Sequence, residues 1–419
     1  MNLTFRDLLG LSFVITDNTE DFNAYQGPKL AYSSTHFVEG IRMAPAGLLH
    51  ESGIRNQLPE IKWKDDLPRC FPVKDPEVTL SYDLFSAIFF FVSRYEEYLD
   101  HPKDVHGRFS ARESLAGRHG FLEKPVVNLW TREIRDHLKA VYPALVFKEP
   151  SYRFLPTYDI DTSFSYAHKG ILRTAAGSFR DLVNGKWENL NERWQVISGR
   201  SKDPFDTFDF ILRKNQELGL DTISFFLVGD HGKNDPSNSF SSPAMKSVVS
   251  KMHSSGAVGL HPSYASADEP RRVKVEKDRL EYLLEGTVTK ARQHFIRLSF
   301  PDTYEHYINA GIREDYSMGF ADQPGFRAGI ANPFRFFNLR TDQESELTIY
   351  PFVFMDVTLK NYLKLSIPAS IALCASLTEQ VKAVNGTLIS VWHNESLCDM
   401  GEWQGWKNAY ESIIQTASK

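Results

Sequence analysis

The feature that most constrains this fold is an alternation that begins near residue 150, in which short apolar runs follow helical segments with their own start and stop signals. In "KDPFDTFDFILRKNQELGL", Asp203 is a candidate N-cap, Pro204 suits the first helical position, and Gly219 supplies a stop. "DTISFFLVG" then reads as a buried strand. "SSPAMKSVVSKMHSSG" repeats the pattern with Ser242, Pro243 and Gly256 and leads into "AVGLHPS". Three more units follow: "EKDRLEYLLEG" into "RQHFIRL", "PDTYEHYINAGI" into "YSMGFA", and "SIPASIALCASLTEQVKAVNG" into "TLISVWHNES", before a closing helix. Strands that are apolar on both faces and separated by helices predict a parallel sheet, open or closed into a barrel. In either form the chemistry is expected at the carboxyl ends of the strands.

The texture before residue 150 is different. Helical periodicity appears in "YDLFSAIFFFVSRYEEYLD" and "NLWTREIRDHLKAVY", separated by a turn-rich stretch. This predicts a small α+β domain over residues 1–150, with the proline-containing "VYPALVFKEPSYRFLP" as the boundary to an α/β domain over residues 151–419. The net charge of −5 comes from nearly balanced acids and bases, which argues against a nucleic-acid partner. The start lacks a basic segment followed by an uninterrupted apolar one, and no run is long enough to span a bilayer, so a soluble, cytoplasmic protein is expected. Cys70, Cys374 and Cys398 have no paired spacing and suggest neither a disulfide scaffold nor a thiolate metal site.

Polar residues recur where the predicted strands end. In "RFLPTYDIDTSFS", strand alternation sends Thr157, Asp159 and Asp161 to one face and Tyr158 and Ile160 to the other. Two buried carboxylates need compensation by a cation, an arginine or solvent. "AVGLHPS" ends at His261, a natural metal ligand or acid/base group. "ARQHFIRL" places Arg292 and His294 on one face of a short strand, "LISVWHNES" ends at His393, and "PGFRAG" sets Arg327 between turn glycines. Singly, each has an ordinary structural explanation: a solvated turn, a core imidazole bonded to backbone, a loop arginine. Together, two acids, three imidazoles and two guanidiniums at successive strand ends suit metal-assisted hydrolysis.

The order "TYDID", "GLH", "LLEGTVTKARQHF" and "SVWHN" resembles the polysaccharide deacetylase family, also called the NodB homology or carbohydrate esterase family 4 domain, over roughly residues 151 to 419. The resemblance implies a distorted (β/α) barrel preceded by an accessory domain. It implies Asp159 as catalytic base, Asp161 and His261 as ligands of a divalent metal, zinc first among the candidates, Arg292 as the arginine that orients the base, and His393 as general acid. The sequence departs from the family twice. Ile160 separates acids that the family places side by side, so the roles of Asp159 and Asp161 are open to exchange. Ala265 stands where a second histidine is expected, four residues after His261, and His294 is the candidate replacement ligand. Arg327, without a firm counterpart in the family, is a candidate for holding a substrate carboxylate or hydroxyl.

The implied reaction is removal of an acetyl group from a carbohydrate. Two alternatives stand beside it: hydrolysis of a small amide such as a cyclic ureide, and a degenerate domain that binds a glycan without turnover.

Overall fold

The computed structural model describes residues 1–35 and 40–419. From residue 153 the chain builds nine strands: β1 (Arg153–Ile160), β2 (Ile223–Phe226), β3 (Ala257–Leu260), β4 (Lys290–Ala291), β5 (Glu314–Asp315), β6 (Phe334–Asn338), β7 (Gln343–Ile349), β8 (Phe354–Met355) and β9 (Thr387–His393). They lie in the order β6-β7-β5-β4-β3-β2-β1-β9-β8, and every neighbouring pair is parallel except β6 with β7. Helices flank this sheet, and β4, β5 and β8 span only two residues each. The architecture is a distorted (β/α) barrel preceded by an α+β segment.

β1 illustrates how alternation builds both faces. Tyr158 is fully buried on the helix side, where its hydroxyl meets Asn215 at 2.8 Å and Tyr410 at 2.7 Å, on the helices Phe208–Leu218 and Trp406–Ala417. Removing such a ring from water is worth about 2 kcal/mol, and the paired hydroxyl avoids the loss that an unsatisfied polar group would bring. Thr157 and Asp159 point the other way. Asp159 lies in register with His393 on β9 and Phe225 on β2.

Several boundaries differ from the sequence expectations. Gly219 does end its helix, in the left-handed conformation at φ 62°. That helix, however, begins at Phe208, and Asp203 instead accepts the backbone N–H groups of Ser165, Tyr166, Ala167 and Phe205, tying down the loop after β1. A carboxylate that satisfies a cluster of loop donors is better used there than at a helix start. "RQHFIRL" is a strand only up to Ala291, and His294 sits in a short 3-10 turn followed by Phe295 and Ile296 at positive φ. The strand expected in "YSMGFA" lies just upstream at Glu314–Asp315. The β6–β7 hairpin and the helices Ile171–Val183 and Trp187–Ile197 were not expected.

The first 150 residues pack through the helices Leu84–Val92 and Val126–Val141. Asp83 caps the former by accepting from the Ser86 N–H at 3.0 Å. One continuous apolar core runs from Leu8 through Phe91 and Trp130 to Ile330 and Ala417. The Asn128 side chain donates to Asn332 at 2.6 Å and accepts from the Ala331 N–H at 3.0 Å, so polar groups also bind this segment to the barrel.

Candidate active site

A cavity of about 200 Å³ opens at the carboxyl ends of the strands, with Asp159, Asp161, His261, His294 and His393 in its wall. At its centre, one carboxylate oxygen of Asp161 and one ring nitrogen each of His261 and His294 lie within 4.8 Å of one another. His261 follows β3 directly. Its Nδ1 is 2.6 Å from the Arg292 carbonyl, so Nδ1 carries the proton and Nε2 faces Asp161 Oδ1 at 3.2 Å. His294 is oriented the same way, with Nδ1 3.0 Å from Asp235 Oδ1 and Nε2 3.2 Å from Asp161 Oδ2.

This donor set fits a metal ion. Asp161 Oδ1 is buried and makes no hydrogen bond, and two Nδ1-anchored rings turn their Nε2 atoms toward the same carboxylate. Rings held through Nδ1 by a carbonyl and a carboxylate have the orientation that metal-ligating histidines adopt. Electrostatics agree. Burial works against ionisation of Asp161, but His294 and His261 hold its carboxyl well below the usual range. Burial also disfavours the His294 cation, yet Asp161 and Asp235 outweigh it and push that imidazole up to about 9. Such a pocket attracts positive charge, whether a proton or a metal.

Two further pairs flank this centre. Arg292 is wholly buried, donates from Nη1 to Asp159 Oδ1 at 2.8 Å and from Nε to the Tyr316 carbonyl at 2.9 Å, and lies 4.5 Å from the centre of the Phe225 ring. On the other side, His393 Nδ1 meets Asp356 Oδ1 at 2.7 Å while the His393 N–H donates to Asp356 Oδ2 at 2.7 Å. Burial pulls the His393 imidazole down, but Asp356 above all, then Asp161 and Asp159, raise it well above its ordinary value. Glu395, also in the wall, is pushed up to about 7 by burial, opposed by His393.

Five of the seven sequence-derived residues therefore line one cavity, and a sixth, Arg292, reaches it only through its hydrogen bond to Asp159. Arg327 does not: it is fully buried away from it, donating to both carboxylate oxygens of Glu97, at 2.9 Å from Nε and 2.5 Å from Nη2, and to the Gly319 carbonyl. The structure does not bring it to the cavity where a substrate-binding role was expected, and its fork is already filled by a carboxylate of the first 150 residues. Ala265 presents only its backbone N–H, which donates to Asp235 at 3.3 Å.

Sequence reasoning missed Asp235, Asp356 and Arg108. Asp356 ends the run "YPFVFMD", the same signal that marked Asp161. Asp235 sits in the polar loop "GDHGKNDPSN" without any distinguishing pattern. Arg108 reaches the cavity wall from the N-terminal segment, donating to Asp104, the Phe295 carbonyl and the Tyr362 hydroxyl.

A barrel with a carboxylate and two imidazoles converging at its strand ends defines the class of metal-site α/β proteins. Residues 1–143 match a family model described as "Family of unknown function (DUF7033)". No curated protein sequence matches the chain. Among solved structures, the chain is similar to a Mycobacterium smegmatis protein assigned to the polysaccharide deacetylases, at 12% identity, 64% of this chain, 84% of that one and a TM-score of 0.42. It is similar to PuuE allantoinase at 10% identity, 76% and 92% coverage and a TM-score of 0.39. It is also similar to a family 4 carbohydrate esterase from Streptomyces lividans, in complex with acetate, at 10% identity, 64% and 87% coverage and a TM-score of 0.30.

Proposed function

We propose that the protein is a metal-dependent hydrolase that removes N-acetyl or O-acetyl groups from a carbohydrate. The observation that carries this reading is the placement of an arginine-held carboxylate and an aspartate-held imidazole on either side of the Asp161, His261 and His294 cluster. Those three residues would hold a divalent ion, with zinc the first candidate because two nitrogens and one oxygen leave an open position. A bound ion supplies Lewis acidity that polarises a carbonyl and lowers the pKa of water to about 7. Asp159, fixed through Oδ1 by Arg292, keeps Oδ2 to accept a proton from the attacking water. His393, kept cationic by Asp356, donates from Nε2 to the departing amine or alcohol, which otherwise leaves poorly. His294 stands in for the nitrogen that Ala265 lacks.

Residues 1–150 are proposed as an accessory domain to the catalytic barrel of residues 151–419, and Arg108 as its contribution to substrate binding. Three of its five N–H groups are engaged within the protein, which leaves two for a substrate acceptor. Three free thiols, two of them buried, suit a cytoplasmic location. One observation favours a second reading: a cavity of about 200 Å³ also suits a small amide such as a cyclic ureide.

Metal analysis of the purified protein, paired with turnover of a panel of acetylated sugars and small amides, tests both readings. Stoichiometric metal with turnover of an acetylated sugar, abolished in Asp161→Ala, is the expected result. Turnover confined to the small amides selects the second reading. Absence of metal, with unchanged activity in Asp161→Ala, overturns both.

A further inference from the structure

The helices Ile171–Val183 and Trp187–Ile197 are amphipathic with the apolar side turned out. The first exposes Ile171 (88%), Leu172 (86%), Phe179 (68%) and Val183 (67%), whose spacing puts them on one face. The second exposes Trp187 (64%) and Trp194 (58%), two turns apart on one face. The inner side of the pair is polar and ordered: Arg193 pairs with the buried Asp181 at 2.6 Å and stacks on Tyr166 at 4.8 Å. Gly177 permits this approach, because a Cβ there would lie 2.8 Å from the Arg193 guanidinium. The helices are thus anchored by their polar faces, and six large apolar side chains on two neighbouring helices remain uncovered, a concentration that marks an interaction surface.

We propose that this helical pair docks the protein onto an anionic membrane surface. Arg180, Lys186 and Arg200 are exposed around the apolar face and make no ion pair among the described residues, and Glu188 is the one exposed acid on the two helices. This is a locally basic patch on a chain of net charge −5. Tryptophans beside apolar residues, edged by lysine and arginine, are the composition of helices that lie in the headgroup region. A second copy of this chain suits the face less well, because a twofold contact would set these cations against their own copies. No helix among the described residues is long and apolar enough to cross a membrane, so the contact is interfacial.

The position of the pair gives the docking a consequence. It lies in the connection that leaves the carboxyl end of β1 just after Asp161, and Arg173 ties it to the Ser237 carbonyl, in the loop that carries Asp235. Docking would therefore act on a segment tied to the loop that carries Asp235. If the proposed hydrolysis holds, substrates presented at a lipid–water interface are the class within reach. The docking itself does not depend on that reading.

The test is cosedimentation of the full chain with vesicles of phosphatidylcholine alone and of phosphatidylcholine with phosphatidylglycerol, measured without any turnover. Binding to the anionic vesicles, weakened by salt and accompanied by a blue shift of tryptophan emission that Trp187→Phe with Trp194→Phe removes, is expected. Phe179→Ser with Val183→Ser, and separately Arg180→Glu with Lys186→Glu, should each weaken binding by about tenfold or more. All these sites are exposed, so the melting temperature should match the parent. Failure to sediment with anionic vesicles overturns the proposal, as does equal binding by the variants. A concentration-dependent dimer that the same substitutions abolish also overturns it, because a second copy would then cover the face.

Discussion

His393 and Asp159 are direct register partners on the adjacent parallel strands β9 and β1. Neighbours in register project from the same face of a sheet, so the two groups proposed to move protons share one wall of the cavity without any loop having to position them. Each is then fixed from its far side, Asp159 by Arg292 and His393 by Asp356. Sites built on strands and held by buried partners keep their geometry better than sites on loops.

Of the three candidate ligands His294 is the least conventionally placed, on a 3-10 turn rather than directly after a strand, and Asp235 orients it. Asp235→Asn should weaken zinc affinity by about 10- to 100-fold, the usual effect of removing a carboxylate behind a metal-bound imidazole. Asp161→Asn should weaken it further. Competition titration with a chromophoric chelator reads both, and equal affinity in Asp235→Asn and the parent would remove Asp235 from the site.

His393 gives the activity a pH signature. Its raised pKa means that the imidazolium and its pairing with Asp356 are fully present below the unfolded value near 6.5 and are lost as pH rises through the higher folded value. A general acid must be protonated, so the alkaline limb of the kcat profile should follow that folded pKa. Asp356→Asn removes the main cause of the shift and should move the alkaline limb to lower pH. His393→Gln should lower kcat by about 10²- to 10⁴-fold. An alkaline limb that stays in place in Asp356→Asn would assign the proton to another group, with Glu395 the nearest candidate.

Much of this site was legible because a strand announces its faces. Asp159, Asp161, His261 and His393 end apolar runs, and the twofold alternation alone placed the two acids together. His294 was legible by residue type but not by geometry, since a two-residue strand followed by positive-φ residues has no periodicity to read. Asp235 was hidden because its role is set by distant contacts: it binds the Tyr264 and Ala265 N–H groups as well as His294, and none of these is near it in sequence. The surroundings of Arg327 were hidden for the converse reason. Turn glycines around it suggested an exposed loop, whereas the N-terminal segment covers that loop and supplies Glu97.

Gly259 on β3 is paired with Phe225 on β2, and a Cβ at this position would lie 2.5 Å from the Phe225 ring. That ring supports the Arg292 guanidinium, which in turn holds Asp159. Gly259→Ala should therefore displace the ring and loosen the arginine, lowering kcat by about 10-fold or more through a misplacement remote from the reacting atoms. Metal content should be unchanged, because the candidate ligands His261 and His294 are oriented by the Arg292 carbonyl and Asp235 rather than by the ring. A loss of metal in parallel with activity would show that the whole cavity had shifted.

Arg327 allows stability to be separated from binding. Glu97 is buried, and although burial opposes its ionisation, Arg327 and then Arg94 hold its carboxyl below the ordinary range. Removing one partner of a buried pair leaves an underpaired charge, at a cost of about 3 kcal/mol or more. Arg327→Ala should lower the melting temperature and the denaturation midpoint markedly. In the folded fraction it should leave KM close to the parent value, because the guanidinium lies outside the cavity wall. Arg108→Ala should do the opposite, raising KM with a smaller effect on stability, since its partners Asp104 and Tyr362 retain access to water. Melting curves and steady-state kinetics on the two variants give a crossed result if the N-terminal segment both braces the barrel through Glu97 and reaches substrate through Arg108. A rise in KM confined to Arg327→Ala would restore the sequence expectation that the cavity geometry sets aside.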